Sequence, residues 1–353
     1  MLVPARGHRR FYMPRFFHVL GGGSLGTLFA SHFAKAGVPT SLLLRKANLP
    51  RINLRITAEG RSPELQCRVD CEASSSSDGA PIDNLIVAVK AFDVKAAIDG
   101  VSSRLHEKSE IILLCNGALA VADPFDRKGT PILVATTTHG VWSRGKQDVH
   151  HAGRGDTWIG QLGGGGDGKT PTAAQQLFAS HGLGAIIEDA PTTERRLWLK
   201  LAANAVLNPL TALWDVQNGV VLEREEGRTT AKAVCEEIGA LAAALTTGAP
   251  PPTASELEAF VHECASANAQ NYSSMCMDVR NFRRTEIEEL NGWIVKKGKE
   301  LGLPAAAANE ELAEKVRERD ATRIERKQVE DINSAISELV RIDRPYYGDG
   351  DRV

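Results

Sequence analysis

A short apolar run, Arg15-Phe-Phe-His-Val-Leu20, ends in Gly21-Gly22-Gly23-Ser24-Leu25-Gly26. This junction constrains the fold more than any other part of the chain. Beyond it Leu28, Phe29, Phe33 and Ala34 recur at helical spacing, Gly37 marks a stop, and Thr40–Leu44 reads as a second strand. Strand, glycine turn, helix and strand together make the opening βαβ unit of a doubly wound parallel sheet. Glycines at 21, 23 and 26 fit the dinucleotide fingerprint. The first permits a tight turn, the second lets backbone N–H groups approach a pyrophosphate, and the third lets helix and strand pack closely. Gly21, Gly22, Gly23, Ser24, Leu25 and Gly26 are therefore the expected phosphate cradle, with the helix N-terminus adding partial positive charge.

An enzyme that takes NAD usually carries an acid at the end of the second strand, where it holds the ribose 2′-hydroxyl. This chain has Arg45 and Lys46 there, and no acid from Met1 to Thr57. A guanidinium fork suits a 2′-phosphate, so Arg45 points to NADPH/NADP+; the alternative is a solvated surface charge.

Further strand-like runs are Leu85–Val89, Ile111–Cys115 and Ile132–Ala135, and the segment around 150–165 has the look of hairpin strands. Ser74–Gly79 and Gly163–Lys169 read as loops. From Thr193 the pattern changes. Trp198–Leu213, Thr230–Leu245, Ser255–Asn271, Glu286–Leu301 and Ala306–Leu339 all carry helical periodicity, with Gly248-Ala-Pro-Pro-Pro252 as a breaker. The expected organisation is an extension at 1–14, an α/β Rossmann-type dinucleotide-binding domain at 15–190, an all-helical domain at 191–345 and a tail at 346–353.

Two motifs in the helical half carry chemistry. In Arg196-Leu-Trp-Leu-Lys200-Leu-Ala-Ala-Asn204-Ala-Val-Leu-Asn208-Pro209, Lys200, Asn204 and Asn208 stand four apart. Successive members are offset by only about 40°, so they form one polar stripe on an otherwise apolar helix. Burying such groups is costly without a task, although a helical lysine can also snorkel to solvent. The second motif is Asn271-Tyr-Ser-Ser274-Met-Cys-Met-Asp-Val-Arg280, followed by Arg284-Thr-Glu286-Ile-Glu288. Thr285 and Glu288 have the spacing of a capping box, which places Glu286 in the first turn of a new helix.

With these residues in place, the chain resembles the 2-dehydropantoate 2-reductase (ketopantoate reductase) family. Matching stretches run almost its whole length: Leu20–Gly26, Val89-Lys90-Ala91, Cys115-Asn116-Gly117, Ala135-Thr-Thr-Thr-His139-Gly140, Lys200–Leu210, Asn271–Arg280 and Arg284–Gly292. The Arg-rich start, the Gly163–Lys169 loop and a longer C-terminal helix depart from the pattern without touching a motif. The resemblance implies hydride transfer from NADPH to the 2-keto carbon of 2-dehydropantoate, giving (R)-pantoate, with the substrate in a cleft between the two domains. By resemblance Lys200 is the general acid and Glu286 its partner. Lys90 and Asn116 line the cofactor, and Asn116, Asn204, Asn208, Asn271 and Ser274 hold the substrate. Two alternatives stay open: a related NADP-dependent hydroxyacid or polyol-phosphate dehydrogenase, for which Arg280, Arg283 and Arg284 are available, and a non-catalytic NADP-binding redox sensor.

Composition narrows the partners. Charged residues make up 24% of the 353-residue chain and the net charge is −2, which disfavours nucleic acid as a partner. No uncharged apolar stretch reaches the ~18 residues of a membrane span. The six cysteines are scattered without metal-ligand spacing, as suits a reducing compartment, and no metal is expected. Cytoplasmic residence follows, with one rival: Arg6, Arg9, Arg10 and Arg15 in an acid-free start also fit a mitochondrial transit segment. A small-molecule substrate and a second copy of the chain are the partners compatible with this reading.

Overall fold

The computed structural model describes residues 16–58, 61–76, 79–122, 132–162, 172–181, 183–246 and 250–322. The Arg-rich start, the Gly163–Lys169 loop and the chain beyond Thr322 lie outside them. The chain divides into two compact units, one ending at Leu197 and the other beginning at Trp198.

The first unit is built on a sheet whose middle strands are β1 (Phe17–Leu20), β2 (Thr40–Leu44), β5 (Ile82–Val87), β6 (Leu105–Leu113) and β7 (Ile132–Thr137). β1 lies between β2 and β5 and is parallel to both; β5, β6 and β7 continue the parallel run. β4 (Arg61–Ala73) extends it beyond β2, and β3 (Arg51–Ala58) pairs antiparallel with β4. The hairpin of β8 (Gly140–Gly145) and β9 (Asp148–Gly153) joins β3, while β10 (Thr157–Leu162) and β11 (Ile186–Ile187) close the other side. The strand order is β11-β10-β7-β6-β5-β1-β2-β4-β3-β9-β8. Strand order therefore reverses at β1, and the crevice at the carboxyl ends of β1 and β5 is where such sheets bind ligands.

Helix α1 (Ser24–Lys35) covers one face. Its Phe29 and Phe33 pack with Phe17 and with Phe178 of α4 (Ala173–His181), the Phe17–Phe33 and Phe29–Phe178 centroids lying 4.8 and 5.3 Å apart. The opposite face is closed by α2 (Val94–Gly100) and α3 (Ala118–Ala122), through Val94, Ile98, Ala118 and Val121.

β1 also carries a buried polar device. His18 is 3% exposed, and Arg104 contacts its Nε2 at 3.2 Å while donating to Glu72 and to the Ala80 carbonyl. Burial first, and the Arg104 charge second, lower the His18 pKa to about 4. His139, 8% exposed, is likewise lowered to about 4 by burial, with the nearby His151 adding to the effect. Its Nδ1 receives the Gly155 N–H at 2.9 Å, a bond that a protonated ring would break. Both imidazoles titrate near 6.5 when unfolded, so below that pH the unfolded chain binds more protons than the folded one. Stability from these groups is present above pH 6.5 and is lost as pH falls towards 4. At pH 5 the loss should be on the order of 2 kcal/mol for each ring. Melting temperature should fall between pH 7 and 5; a flat profile would show that the two rings are not held neutral.

The second unit is helical. It holds α5 (Ala190–Trp214) from Trp198 onward, α6 (Asn218–Val221), α7 (Glu225–Leu245), α8 (Ala254–Ala267), α9 (Ser274–Arg280), α10 (Trp293–Glu300) and a helix over 307–322. Helix α8 starts with a complete capping box between Thr253 and Glu256. The one expected at Thr285 and Glu288 does not form. The Thr285 hydroxyl donates to Asp320 at 2.6 Å instead, and Glu288 takes Arg317. The helix begins after Ile287 as a wide π-turn, Glu288–Gly292, that runs into α10.

Candidate active site

In the first unit the expected cofactor residues all stand at the carboxyl edge of the sheet. Leu20 of β1 is in register with Val87 of β5, and Val87 with Leu113 of β6. The glycine turn follows Leu20, Lys90 follows Val87 by three residues, and Asn116 follows Leu113 by three, so all three reach the same edge. Lys90 precedes a single 3₁₀ turn, Ala91–Asp93, and Asn116 precedes Gly117, whose φ is +62°.

The three fingerprint glycines are held by different constraints. Gly21 has φ +111°, and a Cβ there would lie 2.5 Å from the Ala88 carbonyl oxygen. At Gly26 a Cβ would lie 2.0 Å from the Gly21 carbonyl oxygen. Fold geometry alone therefore requires glycine at both positions. At Gly23 a Cβ would meet no atom of the described residues within 4 Å, and φ is −73°. Among the described residues nothing in the fold asks for glycine at 23, and the turn stays open to an approaching group. Gly23 is also the N-cap of α1; no side chain caps the helix and its first turn has no acid. Backbone N–H groups and an open approach fit a pyrophosphate.

Arg45 stands just past β2 with its side chain 82% exposed and ion-paired to Asp93. The structure thus supplies, from the loop after β5, an acid beside the residue expected to meet a 2′-phosphate.

In the second unit, α5 is buried on nearly every face: Leu201, Ala202, Ala203, Ala205, Val206, Leu207 and Leu210 are all 6% exposed or less. Lys200 and Asn204 are half-buried and Asn208 is 6% exposed. The polar stripe therefore interrupts a core helix. The Lys200 charge is felt at Cys264 on α8, where it opposes the burial that pushes the thiol up to about 11.

Glu286 is 4% exposed and sits in the loop before the π-turn. Thr285, anchored on Asp320, holds one side of it. On the other side Asn291 donates to the Ala205 carbonyl of α5 at 2.9 Å. The start of α9 is also docked on α5: the hydroxyls of Thr211 and Ser273 meet at 2.7 Å, and Ser273 caps α9 by accepting from the Cys276 N–H. Ser274, by contrast, is exposed, as is Asn271, whose carbonyl accepts from the Asn218 N–H. The segments carrying Glu286 and Ser274 are thus both tied to the helix of Lys200, Asn204 and Asn208. Thr211, Ser273 and Asn291, which make those ties, are not among the residues expected from sequence. Ser273 could have been found from its place ahead of an apolar turn, where serine commonly caps.

The three arginines named as available to a phosphate substrate have acidic partners. Arg280 bonds Asp215 at 2.7 Å, Arg283 bonds Asp278 at 2.9 Å, and Arg284 lies 3.7 Å from Glu289. Among the described residues there is no group of His, Cys, Asp and Glu that could hold a metal ion, and no helix long and apolar enough to cross a membrane.

Comparison with known proteins identifies the family. Residues 17–164 match the family model "Ketopantoate reductase PanE/ApbA", and residues 192–320 match "Ketopantoate reductase PanE/ApbA C terminal". The chain belongs to the ketopantoate reductase family. A 2-dehydropantoate 2-reductase of Vibrio cholerae is 31% identical over 85% of this chain and 96% of its own length. Among solved structures, a PanE/ApbA family ketopantoate reductase from Ralstonia eutropha aligns with TM-score 0.72 at 24% identity, over 87% of this chain and 99% of that one. D-mandelate dehydrogenase, solved with NADH and anilino(oxo)acetate, aligns with TM-score 0.75 at 21% identity, over the same shares. As a ketopantoate reductase family member the chain is an oxidoreductase with a Rossmann-type unit for a nicotinamide cofactor.

Proposed function

We propose that this chain reduces 2-dehydropantoate to (R)-pantoate with NADPH, Lys200 acting as the general acid. The observation that carries this reading is the Lys200-Asn204-Asn208 stripe on a core helix to which the Glu286 segment is hydrogen-bonded. The bound cofactor supplies the hydride. Attack at a 2-keto carbon leaves charge on its oxygen, which needs a proton and a nearby cation; the Lys200 ammonium provides both. Glu286 keeps that ammonium oriented. Asn204 and Asn208 present amides along the same face of α5, suited to the hydroxyl and carboxylate of a small keto acid, and Asn271 and Ser274 complete the set. On the cofactor side Gly21–Gly26 cradle the pyrophosphate, while Lys90 and Asn116 line the sheet edge towards the nicotinamide. The acid partners of Arg280, Arg283 and Arg284 weigh against a phosphorylated substrate. Following NADPH absorbance with purified chain and 2-dehydropantoate tests the proposal; no oxidation with this substrate, against turnover with another 2-keto acid, would overturn it.

Preference for NADPH rests on Arg45, and Asp93 makes that preference measurable. Arg45→Ala should weaken NADPH far more than NADH. Asp93→Asn releases the guanidinium from its carboxylate and should lower the KM for NADPH. Equal losses for both cofactors in Arg45→Ala would show that the guanidinium does not meet the 2′-phosphate.

A further inference from the structure

Helix α5 contains an internal proline, Pro209, one residue after Asn208. Proline has no N–H, so the carbonyl four residues earlier, that of Ala205, loses its helical partner. Ala205 is fully buried, and water cannot take the place of that partner. The missing donor comes from the π-turn: Asn291, itself 0% exposed, places Nδ2 2.9 Å from the Ala205 oxygen. The second hydrogen of the same amide goes to Asn309 Oδ1 at 2.9 Å. Asn309 in turn donates from its side chain to Glu237 at 2.6 Å, and Glu237 also takes the backbone N–H groups of Ala308 and Asn309. One uncharged amide thus joins α5, the π-turn, the 307–322 helix and α7.

The position of this joint is what gives it meaning. Ala205 is one residue past Asn204 and three before Asn208; Asn291 is five past Glu286, in the turn that Glu286 leads into. An uncharged side chain with two donors meets both acceptors, each of them buried, where a polar atom without a partner is costly. The wide turn brings Asn291 inward, as single π-turns commonly do near functional sites.

We propose that Asn291 is a positioning residue: by taking the carbonyl that Pro209 releases, it sets the Glu286 segment against the helix that carries Lys200, Asn204 and Asn208. This rests on the roles given above to Lys200 and Glu286. Pro209 and Asn291 then work as a pair, the proline opening a carbonyl and the amide using it to hold two catalytic elements in register.

The pair can be separated from a merely structural role. Asn291→Leu keeps the volume and removes the donors, so it should lower both melting temperature and turnover, the latter roughly 10- to 100-fold, as small misplacements of catalytic groups do. The pH profile of kcat should shift as Lys200 loses its set partner, while the KM for NADPH stays unchanged. Pro209→Ala gives the helix its N–H back, so the Asn291→Leu/Pro209→Ala chain has no orphaned carbonyl on α5. Its melting temperature should return towards that of the parent, yet turnover should stay low and the pH profile shifted. Recovery of turnover together with stability would overturn the proposal, as would an unchanged kcat and pH profile in Asn291→Leu. Failure of both chains to fold would overturn it too, by making Asn291 a requirement of the fold alone. Glu286→Gln separates the levels: normal turnover there defeats the assignment of Glu286 itself, whereas an impaired Glu286→Gln beside a normal double variant defeats only the role of Asn291.

Discussion

Lys200→Ala should lower turnover by roughly 10²–10⁴, the usual worth of a positioned general acid, with NADPH affinity close to that of the parent chain. The two outcomes separate because the residues proposed to meet the cofactor lie in the first unit, whereas Lys200 lies in the second. On the proposed mechanism, truncation removes both the proton and the charge set against the developing alkoxide. It also leaves Asn204 and Asn208 in place, so substrate binding should change less than kcat. Glu286→Ala should damage turnover as well. Combining the two should be little worse than Lys200→Ala alone, since residues that act as a unit are strongly non-additive. Near-normal turnover in Lys200→Ala would mean that the lysine only reaches for solvent from α5.

The sequence makes the opening of the sheet legible because glycine spacing and apolar periodicity act locally. The first strand, the glycine turn, α1 and β2 fall where the pattern places them. The second unit is helical as expected, but α5 and α7 start earlier, at Ala190 and Glu225, and the run expected from Ala306 to Leu339 is described only as far as Thr322. β3 and β4 are harder to read. Ile52, Leu54 and Ile56, and then Cys67, Val69 and Cys71, alternate as half-buried strands do. Charged residues stand between them, and the strands lengthen the sheet only through pairings made far along the chain, with β2 and with β9. A period-two count would have found them.

The candidate site divides along the same line. Lys200, Asn204 and Asn208 share a face by helix geometry alone, so their stripe can be read from spacing. The ties to that face cannot. Asn291 meets Ala205 across 86 positions and Thr211 meets Ser273 across 62, and neither contact leaves a local pattern. Glu288 shows how a local pattern misleads: it has the capping-box spacing from Thr285, but Arg317 and Asp320 offer both residues charged or acceptor partners. A tertiary hydrogen bond and an ion pair replace the cap, and the helix starts later.

The glycine turn yields the other large effect, because two of its residues should respond with opposite signs. Gly26→Ala places a Cβ against the Gly21 carbonyl oxygen, where its ideal position is 2.0 Å away. Backbone must move to admit it, so melting temperature and cofactor binding should fall together, by an overpacking cost of about 1–3 kcal/mol. Gly23→Asp meets no such obstacle, since a Cβ there has open space and φ is −73°. Its carboxylate should cap the first-turn N–H groups of α1 and complement the helix dipole, so stability should hold or rise by about 0.5–1 kcal/mol. The same carboxylate then occupies the donors a pyrophosphate needs and repels it. Like-charge opposition of several kcal/mol amounts to roughly 10²–10³-fold weaker cofactor binding. Calorimetric melting and cofactor titration on the two variants measure both quantities. A Gly23→Asp chain that binds the dinucleotide normally would place the phosphates away from this helix; one that melts early would show that glycine at 23 serves the fold after all.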